Sequence, residues 1–350
     1  PEFTATGGGI ATFYRELACA LRDNGVNVRI LEGSAFRTSR EPARVDWQGF
    51  PVEVLEHDRL EKWWDRFADF TAVPGLRRHL AAAWAMWEQA AFGEGADVVE
   101  ASDWGLLFVP PAIQAVRPLV VQCHGSIGQI AAHDPKVGEE VQAALVQLIE
   151  RSVLAHVRVQ SYSEANSRFW SAETGRSIEL IRPAWRGPVN LPMGNPSTRG
   201  LVVSRVQKWK GPDVLCEAIR LLDNAAPQFD WIGGDTSWLE ANSSASSYLS
   251  AAFPGIWGNK IVRSGTMASE EIRQRQARAL INVVPSTWDV FNFTAIEAMA
   301  SGRPTIVSDG AGASELIRDG ENGFVFRAGS ARDLAQTIER ALSQSSKRLT

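Results

Sequence analysis

Apolar residues recur three and four apart from Ile10 through Phe13, Tyr14, Leu17 and Ala18 to Leu21, and Asn24-Gly25 stops the pattern. This spacing predicts a helix entered from Gly7, Gly8 and Gly9. Val26, Val28 and Ile30 then alternate with polar residues, as in a strand. Loop, helix and strand in that order form the second part of a βαβ unit, whose opening strand is expected upstream of Pro1. An irregular stretch follows. Short apolar runs at 97–100 and 119–122 predict buried strands, and helical spacing covers 139–155. A strand at 157–159, a helix at 161–171 and a strand at 178–181 complete this half.

Pro183, Gly187, Pro188, Pro192, Gly194 and Pro196 then mark a linker over 183–199. The alternation restarts with a strand at 201–203 and a helix that opens on Pro212, with Leu215, Ala218, Ile219 and Leu222 on one face. Further strands are expected at 229–232, 260–262, 280–284 and 305–307, with helices near Ser237, Ser269, Thr294, Ala313 and Ser330. The pattern is α/β: two Rossmann-like, doubly wound domains, 1–182 and 200–350. Ligands bind such sheets at the carboxyl ends of the strands, so a cleft between the domains is the expected site.

A length of 350 residues suits two cores, and 45% hydrophobic with 22% charged residues is the balance of a folded chain. A formal charge of -4 gives no general attraction for nucleic acid or anionic lipid, so no nucleic-acid partner is expected. Cys19, Cys123 and Cys216 lie far apart and form no CxxC pair, which suits a reducing cytoplasm. No apolar run approaches the roughly 18–20 residues that span a bilayer. Trp63, Trp64, Trp84 and Trp87 crowd one region, where Leu60, Trp63, Trp64 and Phe67 fall on one helical face. Packing, stacking on a sugar acceptor, and peripheral membrane contact through Trp63 and Trp64 are all consistent with that face.

Several residues have chemistry suited to the carboxyl ends of these strands. Glycines 7 to 9 before a helix leave backbone N–H groups open to a phosphate or a sugar hydroxyl; a plain tight turn accounts for them equally. Arg205 and Lys210 follow a strand and suit a diphosphate leaving group, although with Lys208 they are also an ordinary solvated basic loop. Downstream, Asp289 lies before a helix and Glu297 in its first turn, placed for sugar or ribose hydroxyls. Thr294 and Glu297 equally have the spacing of a capping box. His124 follows a strand beside Cys123; since adjacent strand residues point to opposite faces, a Cys–His nucleophile pair is disfavoured. There is no D-x-D triplet, and the histidines never fall at a ligand spacing, so no metal and no cofactor are expected.

The stretch PST at 285–287, EAMASGRPTIVSD from Glu297, and the GAGASELI and DGENGFVF segments resemble the E-x7-E region of retaining GT-B glycosyltransferases of family four. LVVSRVQKWKGPDVLCEAI, from Leu201, looks like that family's donor-phosphate motif. Gly233-Gly234-Asp235, Ser264-Gly265-Thr266-Met267, GGGIATF and His124-Gly125 resemble its other strand-end loops.

The resemblance implies metal-independent transfer from a nucleotide-diphosphate sugar to a saccharide, lipid-linked or small-molecule hydroxyl acceptor. His124, Arg205, Lys210 and Asp289 would be catalytic. Gly234, Met267, Phe291, Asn292, Phe293, Thr294 and Glu297 would join Arg205, Lys210 and Asp289 in binding the donor, and Gly7, Gly8 and Gly9 would serve the acceptor or a phosphate. Two departures stand out: Asp289 where the family usually has Glu, and Asn292 where glycine is common. They keep open a non-catalytic sugar- or nucleotide-binding partner, beside a nucleotide-sugar epimerase of similar fold. The family's closing C-terminal helix is also expected to be missing past Ser343.

Overall fold

The computed structural model describes residues 3–4, 8–41, 43–136, 138–183, 185, 187, 197–238 and 243–348. Gly7 and most of the expected linker lie outside them. The chain divides into two units, Pro1–Ala184 and Trp185–Thr350.

The first unit runs α1 (Gly9–Asp23), β1 (Ile30–Glu32), β2 (Arg44–Trp47), β3 (Phe50–Val54), α2 (His57–Arg66), α3 (Pro74–Gln89), β4 (Val99–Ser102) and α4 (Val109–Gln114). It continues with β5 (Leu119–Gln122), α5 (Ile127–His133), α6 (Glu140–Leu154), β6 (Arg158–Ser161), α7 (Glu164–Thr174) and β7 (Glu179–Leu180). Its strands form two sheets, β1-β3-β2 and an all-parallel β4-β5-β6-β7.

Two expectations need correction here. The strand expected from Val26 begins only at Ile30, because the Val26 N–H caps the end of α1 on the Leu21 carbonyl at 3.0 Å instead of joining a ladder. The stretch expected to be irregular holds the antiparallel β2–β3 pair, turned at Gln48-Gly49, and then α2 and α3. Leu60 is buried against Ala81, Ala82 and Ala85 of α3, and the Trp63 ring stacks on Trp84 at 5.2 Å. Trp63 Nε1 donates to Glu88 at 2.6 Å, so the aromatic face of α2 packs on its neighbour. Among the described residues no helix is long and apolar enough to cross a membrane.

The second unit runs β8 (Gly200–Val203), α8 (Pro212–Leu222), β9 (Phe229–Ile232), β10 (Ser237–Trp238), β11 (Ser243–Ser244), α9 (Ala245–Ala252), β12 (Ile261–Ser264) and α10 (Ser269–Arg278). β13 (Asn282–Val284), α11 (Phe293–Ala300), β14 (Thr305–Ser308), β15 (Phe324–Phe326) and α12 (Ala331–Arg348) complete it. Six parallel strands lie in the order β12-β9-β8-β13-β14-β15. Counted along the chain this is the 3-2-1-4-5-6 order of a Rossmann sheet. Leu215 and Ile219 of α8 and Leu334 and Ile338 of α12 bury their apolar stripes with Trp231 of β9.

The helix expected near Ser237 starts at Ala245: Ser237 pairs with Ser244, whose hydroxyl accepts from the Ser247 N–H and caps the helix. The helix expected near Ala313 is a short 3-10 turn, Gly312–Leu316, ended by extended Ile317.

Candidate functional site

In the second unit chain order reverses between β8 and β13, and the crevice beyond their carboxyl ends is where such a sheet takes ligands. The segment after β8 is clamped there. Trp231 Nε1 donates to the Ser204 carbonyl at 2.7 Å, and the Val206 N–H to the Gly234 carbonyl at 2.8 Å. A Cβ on Gly233 would lie 1.9 Å from the Ser204 oxygen, so this approach needs glycine. Arg205 projects from the clamped loop and is exposed. The chain then makes a 3-10 turn, Lys208–Lys210, and enters α8 through Gly211 at φ 69.

This turn is laced to the segment after β13, where the Thr287 N–H donates to the Trp209 carbonyl at 2.9 Å. The lacing brings Lys210 Nζ to Asp289 Oδ2 at 2.5 Å, with both side chains only 13% and 14% exposed. Asn292 Nδ2 donates to the same oxygen at 2.8 Å, and the ammonium lies 3.8 Å above the Trp209 ring. Burial pushes Lys210 below the ordinary lysine range; Asp289 opposes this by charge and hydrogen bond, and the positive charge of Arg205 adds to it.

α11 begins one residue after Asn292, which sits in the left-handed region at φ 80 and caps the helix by accepting from the Ala295 N–H at 3.2 Å. The expected Thr294–Glu297 capping box is therefore corrected. Thr294 lies inside the helix, its hydroxyl 2.6 Å from Asn292 Oδ1 and 3.3 Å from the Val203 carbonyl at the end of β8. Glu297 falls in the second turn, not the first. Burial pushes its carboxyl up to about 7 against the pull of Arg273, and among the described residues no hydrogen bond reaches it.

The other expected donor contacts divide. Phe291 is buried, with its ring 5.6 Å from that of Phe293, and its carbonyl accepts the Ala313 N–H at 2.7 Å. Half-buried Met267 packs on Leu201, Ile232 and Ala279, while Gly234 is open on its side-chain face. Arg205, Lys210, Asp289, Asn292 and Thr294 thus gather at the switch point, whereas Phe291 and Met267 spend much of their surface on the core.

In the first unit Gly8 caps α1 at φ 111, and Gly9 is the first helical residue. Phe13 and Tyr14 of α1 pack on the His124 ring at 5.1 and 5.2 Å, so the glycine turn and the histidine loop share one place. The Tyr162 hydroxyl lies 3.0 Å from His124 Nδ1, and desolvation holds this imidazole well below its ordinary range, neutral at pH 7. Cys123 is fully buried and its thiol is pushed up, which leaves it inert.

Two buried acids absent from the sequence reading hold the loop from beneath. Asp103 accepts the N–H groups of His124 and Gly125 at 2.8 and 3.2 Å, and Glu150 accepts the Ser126 hydroxyl at 2.8 Å and the Gly128 N–H at 3.1 Å. Asp103 follows β4 as His124 follows β5, the neighbouring strand, and that adjacency is the signal that was available. Burial raises Asp103 to about 7 and Glu150 to about 8.

These shifts fix a pH dependence. A carboxyl with a raised folded pKa keeps its proton in the native state after the unfolded chain has lost it, so stability falls as pH rises from the ordinary carboxyl range up to the folded value and levels off above it. Neutral His79, lowered to about 4, acts oppositely, but only below the ordinary imidazole range. Between about pH 6.5 and 8 the acids dominate. Calorimetry is expected to show a falling melting temperature over that window, and Glu150→Gln to flatten the fall; a melting temperature level in both proteins would refute it.

Two family models match the chain. "Glycosyl transferase 4-like domain" covers residues 8–168, and "Glycosyl transferases group 1" covers 197–344. Curated relatives include a D-inositol 3-phosphate glycosyltransferase of a Nocardioides species, 28% identical over 59% of this chain and 48% of its own. Another, from Pseudarthrobacter chlorophenolicus, is 25% identical over 95% of this chain and 81% of its own. The chain spans about half the length of the first-ranked of these curated relatives. Among solved structures, sucrose-phosphate synthase from Thermosynechococcus elongatus superposes with TM-score 0.72 at 19% identity, over 97% of this chain and 86% of the other. Anabaena HepE in complex with UDP-glucose does so with TM-score 0.67 at 19% identity, over 98% and 89%. The fold is GT-B.

Proposed function

The chain belongs to the glycosyl transferase family whose two modules it carries, and we propose that it moves a sugar from a nucleoside-diphosphate sugar to a hydroxyl acceptor, with retention and without a metal. The second unit takes the donor; the first, with the Gly8–Gly9 turn and His124, serves the acceptor. The observation that supports this most is the Lys210–Asp289 pair at the switch point, with Arg205 near enough to act on Lys210.

In this reading the diphosphate draws the Lys210 ammonium toward itself, and Arg205 adds a second charge. Together they stabilise the negative charge that grows as the glycosidic bond breaks. Release of Lys210 frees Asp289 for the transferred sugar. Glu297, whose carboxyl titrates near 7, donates or accepts a hydrogen bond at the ribose diol. Neutral His124 offers a hydrogen-bonding nitrogen near the acceptor. The acceptor hydroxyl attacks from the face that the diphosphate leaves, through an oxocarbenium-like state, and gives its proton to the departing phosphate oxygen as the new glycosidic bond forms; positioning supplies much of the rate.

A second reading, a sugar-binding partner without turnover, draws on Asp289 Oδ2 already accepting from both Lys210 and Asn292. Proton NMR of reactions that pair a panel of α-configured nucleotide sugars, UDP-glucose among them, with D-inositol 3-phosphate and simple sugars, run in a chelator, separates the possibilities. An α-linked product supports retaining, metal-independent transfer. A β-linked product, donor consumed without acceptor, or no turnover of any nucleotide sugar overturns it.

A further inference from the structure

A cavity of about 510 Å³ opens in the first unit, built by the loop after β1 and by α2 and α3. None of its lining residues belongs to the glycine turn or the His124 loop. We propose that it binds a neutral saccharide of one or two rings, with Phe36 and Trp64 as the apolar platform and Arg78, Glu61 and Thr38 meeting the hydroxyls.

Phe36 is 70% exposed, yet the turn that carries it is tied by hydrogen bonds and an ion pair. The Ser34 N–H donates to the Arg37 carbonyl at 3.1 Å, the Phe36 N–H meets Ser34 Oγ at 3.2 Å, and Arg37 is ion-paired with fully buried Glu32. The ring is braced from behind by His79 at 5.7 Å, and His79 in turn by Trp104 at 5.9 Å. Trp64 is fixed as firmly, because Arg77 stacks on its ring at 4.0 Å and donates to its carbonyl at 2.7 Å.

Between the rings, the Arg78 guanidinium lies 5.7 Å from the Phe36 centroid and 5.9 Å from that of Trp64. Along one wall the Thr38 hydroxyl lies 3.2 Å from His57 Nδ1, and His57 Nε2 lies 3.7 Å from the Glu61 carboxylate. Pre-fixed aromatic faces, a donor fork and an acceptor carboxylate match the apolar faces and hydroxyl edges of a sugar. The volume falls in the range of small-ligand pockets. Glu61 and Arg78 place opposite charges in the cavity, so it has no net pull on an anion and suits a neutral ligand.

This proposal does not rest on sugar transfer, and its test needs none. Saturation-transfer NMR on the full chain with maltose, cellobiose and sucrose, and with glucose 6-phosphate as the anionic arm, reads it directly. At least one neutral disaccharide is expected to bind, and Phe36→Ala and Arg78→Ala each to weaken it tenfold or more, with UDP binding unchanged. Phe36 and Arg78 are exposed, so both variants are expected to fold, which melting curves check. Binding of glucose 6-phosphate alone, binding that survives both substitutions, or no binding of the three disaccharides overturns the proposal.

Discussion

Lys210→Ala is expected to lower turnover of the nucleotide sugar by about 10²–10³, or roughly 3–4 kcal/mol of transition-state stabilisation. The magnitude follows from burial. An exposed cation would contribute little, but Lys210 is 13% exposed, and its charge acts where water screens it weakly. Among the described residues the substitution also leaves Asp289 with Asn292 alone as side-chain donor, which should cost about 1–3 kcal/mol of stability. Adding Asp289→Asn in the same background separates the effects. Stability should recover because no charge is left unpaired, whereas turnover should not. Lys210→Arg is not a conservative control, since a planar fork does not reproduce a point charge 2.5 Å from one oxygen. Turnover by Lys210→Ala within a factor of three of wild type would remove the lysine from the mechanism.

Gly211→Ala is expected to be strongly destabilising, by about 3 kcal/mol or more. Its φ of 69 is costly for any side chain, and the added Cβ would stand 2.0 Å from the Pro285 carbonyl oxygen. Relief requires the turn after β8 to move away from the segment after β13, which breaks the Thr287–Trp209 hydrogen bond and withdraws Lys210 from Asp289. Gly255→Ala is the control: its φ is 77, but nothing lies within 4 Å of the added carbon, so only about 1 kcal/mol of backbone strain applies. Thermal melting of both variants checks the difference. Equal losses would show that the dihedral, not the close approach, governs the position.

The second unit is the more legible in the sequence because its inner strands are buried on both faces and appear as short apolar runs. Phe229–Ile232 is such a run, and β9 has the same bounds. The first unit hid its β2–β3 pair, since Arg44–Trp47 is mostly exposed and Gln48-Gly49 is a weaker turn signal than Asn-Gly. Motif positions brought Lys210 and Asp289 into view, 79 residues apart in sequence, but not the salt bridge between them. Spacing misplaced the cap of α11, because Thr294 and Asn292 are both good caps and only the backbone at φ 80 decides between them. Asp103 and Glu150 were invisible for a related reason. A lone acid in a sequence gives no sign of being buried under a loop that lies 21 or more residues away.

Calorimetric titration of UDP into the wild-type chain and into Lys210→Ala is the most direct test that this lysine meets a diphosphate. Binding to the wild type with at least tenfold weaker affinity in the variant, about 1.4 kcal/mol, is the result the account predicts. Equal affinity in both proteins, or no binding to either, would contradict it.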